Sequence, residues 1–396
     1  MEVLKIDGKT VYLGKRNPSG NKGLCRITHP AMLAGEESLE WLDEHFLEKQ
    51  EQTMEASFVK EIQTAMAEGE VYFANLSYGT QEEWTQRLKS LKKEKKRLHL
   101  LALGDVGSTV LMALKLMGGD CLEAIGIYDM NPAVCDRWER ELNQAAFPWD
   151  YDRLPPVEIL TEEALFDCDM FVFCASKGIP PVGQEQVDVR MVQFEANRSI
   201  VSMFAKKARK AGFQGIFAVV SDPVDPLCRA AFLASNEGEE GQMDYKGLRP
   251  EQIQGYGLGV MNARAAYYAK KDSRFASFLT EGRAFGPHGE DLVIANSISH
   301  YDDTLSKELA KLAVEANLRM RELGFKPYVA PAISSAAISL LLTLRGEWHY
   351  SSNFLAGVYM GCKNKTERTA QMEVLPLPEA LLARIRKAYD GLEAIR

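Results

Sequence analysis

The spacing of apolar and polar positions divides the 396 residues into a short leading region and a longer region with a different pattern. In the leading region, alternating apolar residues on both sides of Asp7 and Gly8 predict a β-hairpin, because a D-G pair favours a tight two-residue turn. Thr80 and Glu83 match a capping box and predict a helix that begins at Thr80. We therefore expect residues 1–96 to form a small α+β extension.

From Leu98 onward, short apolar runs typical of buried strands alternate with helical segments. The predicted strands lie at Leu98–Leu103, Ala124–Tyr128, Val157, Met170–Cys174 and Ile216–Val220. The predicted helices run from the turn at Gly104 to Leu116, from Pro132 to Ala145 and from Val189 to Ala211. This alternation predicts a doubly wound parallel sheet of the Rossmann type, an α/β fold, over residues 97–240. The polar segment Ser235–Gly241 is expected to lead into an α+β substrate domain over residues 241–396.

Composition and charge narrow the classes of partner. A formal net charge of −8 and a pI near 5.5 argue against nucleic acid as the main partner. No apolar run reaches the roughly 18 to 20 residues that a membrane span needs, and the first residues lack the apolar core of a signal peptide. We therefore expect a cytoplasmic protein that binds neither nucleic acid nor membrane. The basic run from Lys92 to Arg97 is expected to be the cationic last turn of the helix that begins at Thr80, rather than a polynucleotide patch.

Neither disulfide nor metal chemistry is expected. The seven cysteines are odd in number, form no C-x-x-C pair and stand in part within apolar runs, which indicates buried reduced thiols. Histidine, cysteine and carboxylate residues are not grouped at the spacings of known metal ligands, so no metal site is predicted.

A turn between a predicted strand and a predicted helix carries the first chemical signal. It reads Ala102-x-Gly104-x-x-Gly107, and Asp129 ends the next strand 22 residues beyond Gly107. Such a turn brings backbone amides close to a pyrophosphate, and a carboxylate after the next strand accepts hydrogen bonds from ribose hydroxyls and repels a 2′-phosphate, which favours NAD over NADP. A tight turn without a ligand is the alternative. The residues assigned to cofactor binding are Gly104, Asp105, Val106, Gly107, Asp129, Ala175 and Ser176.

Five motifs that follow one another after residue 97 resemble the lactate/malate dehydrogenase family. In chain order they are the turn at Gly104, Arg190 with Asn197 seven residues later, Ser221–Asp225, Gly257–Arg264 and Gly286–Glu290. The resemblance covers some three quarters of the chain and leaves out residues 1–96, which typical members lack. It implies an NAD-dependent oxidoreductase that transfers a hydride between nicotinamide and a small 2-oxo or 2-hydroxy acid. It also implies a homo-oligomer, either a dimer or a tetramer.

The resemblance further implies roles for individual residues. His288 matches the catalytic histidine that gives a proton to the substrate carbonyl and takes it back in the reverse direction. Arg264 matches the arginine that binds the substrate carboxylate with paired hydrogen bonds, and Arg190 matches the catalytic mobile-loop arginine that polarises the carbonyl. Asn197 and Gln184 are assigned to substrate binding.

Two departures from the family pattern bear on the substrate. Met261 stands where the family has an aspartate that orients the histidine, and Asp222 stands where the family has an asparagine. Asp222 is a candidate catalytic residue, because its carboxylate can pair with His288 or with an amine or iminium group of the substrate; an ordinary turn residue is the alternative. Asn262 is the other candidate for the missing partner of the histidine. These departures leave open a dehydrogenase adapted to an amino- or imine-bearing substrate and a non-catalytic NAD(H)-binding protein.

Overall fold

A computed structural model describes residues 1–89, 95–177, 189–289 and 291–395, and the side chains of residues 189–193 lie outside this description. The strands of the described residues are, in chain order, β1 (Glu2–Ile6), β2 (Lys9–Gly14), β3 (Leu24–Arg26), β4 (Val71–Asn75), β5 (Lys96–Leu101), β6 (Leu122–Tyr128), β7 (Val157–Ile159), β8 (Met170–Phe173), β9 (Ile216–Val219), β10 (Ile253–Gly255), β11 (Arg283–Phe285), β12 (Val293–Ala295), β13 (His349–Leu355), β14 (Val358–Thr366) and β15 (Ala370–Met372). The helices of the same ranges are α1 (Glu44–Glu51), α2 (Ala56–Glu68), α3 (Gln81–Lys89), α4 (Asp105–Met117), α5 (Pro132–Asn143), α6 (Val189–Lys210), α7 (Val224–Asn236), α8 (Leu258–Ala269), α9 (Phe278–Glu281), α10 (Asp303–Glu322), α11 (Ile338–Arg345) and α12 (Glu379–Ala394).

Strands β5 to β10 form a parallel sheet in the order β7-β6-β5-β8-β9-β10. The order runs outward in both directions from β5, so the direction of winding reverses between β5 and β8. Helices α4, α5, α6 and α7 lie along the chain between these strands. This is the doubly wound arrangement, and the predicted fold class is confirmed.

Helices cover both faces of the parallel sheet. On one face, residues 331–345 pack together with α4 and α5 over a core that includes Val110 and Ile127. On the other face, α6 and α7 pack over an aromatic core in which the rings of Phe171 and Phe204 are stacked 6.1 Å apart. Strands covered on both faces are removed from water along their whole length, which explains their continuous apolar runs.

The sheet continues past the parallel strands into the second half of the chain. Strands β13, β14 and β15 extend it antiparallel to β10, which gives a sheet of nine described strands. Strand β10 lies beyond residue 240, where the first domain was expected to end, and yet it is the last parallel strand. The short β11–β12 pair stands apart from this sheet, and Pro331–Ala337 form a π-helical segment continuous with α11.

Residues 1–89 form a separate four-stranded sheet in the order β1-β2-β4-β3, accompanied by α1, α2 and α3. At the predicted hairpin turn, Asp7 and Gly8 have φ angles of 46° and 75°, the positive values that a two-residue turn of this type requires. At the predicted helix start, the backbone N–H of Thr80 donates to Oε2 of Glu83 at 2.7 Å, and the N–H of Glu83 donates to Oγ1 of Thr80 at 3.3 Å. The hairpin and the capping box are therefore confirmed.

The leading sheet is attached to the second half of the chain by direct contacts. Glu251 is 7% exposed, and its carboxylate accepts hydrogen bonds from the backbone N–H groups of Gly23 at 2.9 Å and Leu24 at 3.1 Å. Backbone bonds also join Glu44 to Leu375, with the N–H of Glu44 donating at 2.9 Å. These contacts make the extension part of the same folded body.

Two local expectations are wrong. Lys96 and Arg97 are not in the last turn of a helix: they belong to β5, because this strand begins before its apolar run. Both side chains form ion pairs there. Residues 90–94 lie outside the described ranges. Ser235 and Asn236 were expected to begin a linker, but they are the last residues of α7 and are buried. Burial of Asn236 is tolerated because its polar side chain is hydrogen-bonded inside the protein.

Cysteine, metal and membrane features can be stated for the described part of the chain. All seven cysteines carry free thiols and are buried or half-buried. Within the described ranges, no group of three histidine, cysteine or carboxylate side chains is arranged to hold a metal ion. None of the helices in those ranges combines the length and the apolar character needed to cross a membrane.

Candidate functional site

The turn between β5 and α4 depends on a close approach of two backbone segments. A Cβ atom added to Gly107 would lie 1.9 Å from the carbonyl oxygen of Ala102, so only glycine lets the helix approach the strand this closely. Gly104 is the N-cap of α4, and among the described atoms nothing lies within 4 Å of the place where its Cβ would be. A helix N-terminus with open space above it offers backbone N–H groups and partial positive charge to an anion.

Asp129 lies beside this turn. Leu101 pairs with Tyr128 in the sheet, so the turn after β5 and the residue after β6 emerge at the same edge. Oδ2 of Asp129 accepts a hydrogen bond from the backbone N–H of Leu103 at 2.8 Å, and Oδ1 accepts one from Asn131 at 2.9 Å. The carboxylate is thereby fixed next to the glycine turn, in the position from which it can reach a ribose.

Asn197 connects the loop after β8 with the loop after β9. Its side chain is fully buried. The amide nitrogen donates to Oγ of Ser176 at 3.2 Å and to the carbonyl oxygen of Asp222 at 2.8 Å, and the amide oxygen accepts from the backbone N–H of Lys177 at 2.9 Å. Asn197 was assigned to substrate binding; in this structure its amide is occupied by protein groups, and it positions the two loops.

His288 stands in a glycine-rich loop that follows β11. Gly286 has a φ angle of 86°, which glycine adopts without a steric penalty, and its N–H donates to the carbonyl oxygen of Gly361 at 2.9 Å. A Cβ atom at Gly257 would come within 3.0 Å of Cβ of His288, so this glycine makes room for the histidine. The His288 side chain is 16% exposed.

The imidazole of His288 contacts the carboxylate of Asp222. The distance between Nδ1 of His288 and Oδ1 of Asp222 is 3.3 Å. Met261 is buried, and its sulfur lies 3.5 Å from a guanidinium nitrogen of Arg264. Asp222, which the sequence named as a candidate partner of the histidine, therefore contacts it, and it does so from the loop after β9 instead of from α8.

Arg264 completes the charged groups of this cleft. It lies on α8, and its guanidinium donates a hydrogen bond to the side-chain oxygen of Asn317 on α10. Burial lowers the pKa of Arg264, while Tyr268 and Asp222 oppose the shift. An arginine remains cationic under such a shift, and Asp222 is near enough to Arg264 to interact with it electrostatically.

A π-helical segment holds the start of the helix that carries this arginine. The hydroxyl of Ser335 donates to the carbonyl oxygen of Gly257 at 2.6 Å and accepts from the N–H of Val260 at 2.8 Å. A Cβ atom at Gly259 would lie 2.5 Å from the carbonyl oxygen of Ser334. Segments of this kind are frequent at functional sites, and this one fixes the backbone around the first turn of α8.

Asp225, the last residue of the motif Ser221–Asp225, is a buried carboxyl group near the histidine for which no role was predicted. Asp225 lies in the first turn of α7 and is 5% exposed. Burial raises the pKa of Asp225 to about 6, although Ser352 and His288 oppose the shift. An acidic residue at a helix start is explained by the helix dipole alone, so no local pattern indicated that Asp225 is buried. Asn317, which accepts the hydrogen bond from Arg264, lies within the long helix α10, and no sequence pattern marked it as a site residue.

Two predicted site residues are not fully described. Arg190 is the second residue of α6, and its side chain lies outside the description. Gln184 lies outside the described residues. The described cleft therefore consists of His288, Asp222 and Arg264, with Asp225 close to the histidine.

The residues assigned to the cofactor fit a dinucleotide. They share one location, after the carboxyl ends of β5, β6 and β8, and are Gly104, Asp105, Val106, Gly107, Asp129, Ala175 and Ser176. Winding reverses between β5 and β8, and open α/β sheets bind ligands at such a point. The fold is that of doubly wound α/β proteins, and the turn after β5 is of the kind that holds a dinucleotide in such folds.

Comparisons with known proteins agree with this class. No protein-family model matches the chain. An L-lactate dehydrogenase of Treponema denticola is 27% identical over 209 residues, which cover 53% of this chain and 60% of that protein. An L-lactate dehydrogenase of Macrococcus caseolyticus is 25% identical over 326 residues, which cover 75% of this chain and 95% of that protein. The match to the first relative spans less than two thirds of that relative's own length.

Solved structures show the same fold. A minor L-lactate dehydrogenase from Enterococcus mundtii, in a ligand-bound form, has a TM-score of 0.62 at 18% identity and covers 76% of this chain and 98% of its own. A malate dehydrogenase from Archaeoglobus fulgidus in complex with NADH has a TM-score of 0.61 at 17% identity, with the same coverages. The chain is therefore similar to lactate and malate dehydrogenases in sequence and shares their fold, and the resemblance found in the sequence is confirmed.

Proposed function

We propose that this protein is an oxidoreductase of the 2-hydroxy acid type, which transfers a hydride between NAD(H) and the reacting carbon of a small 2-oxo or 2-hydroxy acid. The observation that carries the proposal is the contact between His288 and Asp222, with Arg264 near enough to Asp222 to interact with it electrostatically. A proton-transferring group and an anion-binding group are the two elements that such a reaction requires.

Each residue of the cleft has a distinct task in this proposal. Arg264 binds the substrate carboxylate. His288 gives a proton to the oxygen of a 2-oxo acid or takes one from the hydroxyl of a 2-hydroxy acid. Asp222 supports the protonated imidazole through its contact at 3.3 Å, in place of the family's aspartate at position 261. Arg190, at the start of α6, polarises the carbonyl.

The cofactor is held by the backbone of the turn at Gly104 and by Asp129. When bound, NAD(H) accepts or supplies the hydride. The position of Asp129, fixed by the N–H of Leu103, favours NAD over NADP because a second negative charge would be repelled there.

An absorbance assay tests this function. Purified protein is incubated with NADH and a panel of 2-oxo acids, and with NAD⁺ and the matching 2-hydroxy acids. We expect turnover with at least one pair. The competing function, an NAD(H)-binding protein without catalysis, predicts tight NADH binding and no turnover, and that result would contradict the proposal.

The proposed partners are a small-molecule carboxylate and further copies of the same chain, as a dimer or a tetramer; nucleic acid and membranes are not among them. The proposed location is the cytoplasm. Light scattering on the purified protein tests the assembly, and a monomer at micromolar concentration would contradict it. Cell fractionation tests the location.

A further inference from the structure

We propose that the cleft accepts substrates whose reacting carbon bears nitrogen, namely 2-imino acids and the corresponding 2-amino acids, in preference to 2-oxo acids. The inference rests on the proposed function, because it names the substrate class of the same site. The juxtaposition of Asp222 with His288 and Arg264 carries it.

The cleft holds opposite charges close together. Oδ1 of Asp222 lies 3.3 Å from Nδ1 of His288, and the carboxylate acts electrostatically on Arg264. The Asp222 side chain is 50% exposed, so a carboxylate with four lone-pair sites keeps an accessible surface beyond its contact with the histidine. A 2-amino acid carries a carboxylate and an ammonium group, and Arg264 and Asp222 offer each of them a group of opposite charge.

A 2-oxo acid fits the same charges poorly. Its carbonyl oxygen is an acceptor, and an ionised aspartate has no proton to donate to it. Negative charge grows on that oxygen during hydride addition, so the half-exposed carboxylate repels it, although the same carboxylate also supports the protonated imidazole. The nitrogen of an iminium group carries an N–H donor and positive charge, and the same carboxylate stabilises it.

The reaction balances with the cofactor class already proposed. The carbon of the C=N⁺ bond gains a hydride from a reduced nicotinamide, which is thereby oxidised. The π electron pair of the C=N⁺ bond becomes the lone pair of the amine nitrogen. His288 gives a proton to that lone pair, so the product is a 2-ammonium acid. In the reverse direction, the nitrogen returns its proton to His288 and the carbon gives up its hydride to an oxidised nicotinamide.

A stable cyclic 2-imino acid, 1-piperideine-2-carboxylate, separates the substrate classes without free ammonia. With NADH we expect its kcat/KM to exceed that of the best 2-oxo acid of similar size by at least about tenfold, which corresponds to about 1.4 kcal/mol. Mass spectrometry of the product distinguishes the cyclic amino acid from a hydroxy acid.

The variant Asp222→Asn tests the residue itself. We expect the ratio of kcat/KM for the imino acid to kcat/KM for the 2-oxo acid to fall by at least about tenfold. The ratio is used because Asp222 also supports His288, and a loss through the histidine affects both substrates alike. Asp222→Glu restores part of the ratio, and Asp152→Asn, at an exposed site, leaves it unchanged.

Calorimetric titration provides a readout without turnover. In the presence of NADH, which cannot oxidise either ligand, we expect a 2-amino acid to bind more tightly than the 2-hydroxy acid with the same side chain, and Asp222→Asn to reverse that order. Turnover of 2-oxo acids with an unaltered ratio in Asp222→Asn would overturn this inference and leave the proposed function standing. Bound NADH that reacts with none of the probes would overturn both.

Discussion

The proposed cofactor site and the proposed reaction site are built by different means. The cofactor site depends on backbone geometry, with Gly107 allowing a helix to approach a strand and the N–H of Leu103 holding Asp129. The cleft depends on side-chain charges from three separate segments, represented by Asp222, Arg264 and His288. A backbone site tolerates few changes in residue type, whereas charges can be exchanged between positions.

The exchange of charge in the cleft illustrates this difference. The carboxylate expected at position 261 is absent, since Met261 is buried there, and a carboxylate from Asp222 contacts the histidine instead. The carboxylate that contacts the histidine therefore comes from a different position than in the family pattern.

Replacing the histidine is expected to separate the two sites most strongly, because it removes the proton-transferring group and leaves the proposed cofactor site intact. For His288→Ala we expect kcat to fall by roughly 10²- to 10⁴-fold, the usual contribution of a positioned acid or base. The affinity for NADH, measured by fluorescence titration, stays within about twofold.

A second histidine serves as the matched control for this experiment. His300 has a side chain that is 85% exposed, and His300→Ala should leave kcat within about twofold, as for most surface substitutions. If His288→Ala turned over the best substrate as fast as His300→Ala, the proton-transfer role of His288 would be wrong.

Two glycines of the cofactor turn provide a matched pair. A methyl group at Gly107 meets the carbonyl oxygen of Ala102 at 1.9 Å, so Gly107→Ala is expected to lower the free energy of unfolding by about 1–3 kcal/mol and to weaken NADH binding. A methyl group at Gly104 meets no described atom within 4 Å and has an ordinary φ of −70°. Gly104→Ala should therefore fold normally and weaken NADH binding by about tenfold or more, because the methyl group occupies the space of the phosphates.

Urea unfolding and NADH titration on both variants decide this prediction. Equal stability losses would show that Gly104 has a structural role, and unchanged NADH affinity in Gly104→Ala would remove the turn from the cofactor site.

The sequence predicted the backbone part of this molecule well. Strand and helix order, the turn at Gly104 and the hairpin at Asp7 follow from local patterns, because periodicity and turn residues act over a few neighbouring positions. The start of β5 was missed, since Lys96 is polar but still pairs in the sheet. The end of α7 was missed because the polar residue Asn236 is satisfied by hydrogen bonds to segments distant in sequence.

The charged cleft could be predicted only in part. His288 and Arg264 were identified from motifs, and Asp222 was named from a departure as a candidate partner of His288, which it contacts at 3.3 Å across 66 residues of sequence. The burial of Asp225 and the contact between Arg264 and Asn317 depend on how helices pack, which no local pattern records.

The buried carboxyl of the cleft makes stability depend on pH. The pKa of Asp225 is raised by burial from 3.8 to about 6 in the folded protein, so the folded state keeps this proton where the unfolded state has lost it. Stability therefore falls as pH rises from about 4 to about 6, and the loss persists above that window. Asparagine cannot ionise, so Asp225→Asn should be more stable than the parent at pH 8 by about 1–3 kcal/mol, with the difference vanishing near pH 4.

Urea unfolding at both pH values measures this difference. Asp152→Asn, at an exposed position, should follow the pH dependence of the parent protein. The prediction would be wrong if the free energy of unfolding of Asp225→Asn differed from that of the parent by the same amount at pH 4 and pH 8. Burial of the Asp225 charge would then carry no cost.

The smallest expected effect concerns the first position of the cofactor turn. Ala102 has a φ angle of 73°, in the left-handed region that favours glycine, and its N–H still donates to the carbonyl oxygen of Tyr128 at 2.9 Å. Glycine at this position stabilises the folded state by about 1–2 kcal/mol, because the left-handed backbone is no longer strained. It also stabilises the unfolded state by about 0.5–1 kcal/mol through greater chain entropy. Ala102→Gly should therefore raise the free energy of unfolding by up to about 1 kcal/mol, whereas Ala124→Gly, in the buried strand β6, should lower it. Equal losses in the two variants would mean that the backbone at Ala102 is not strained.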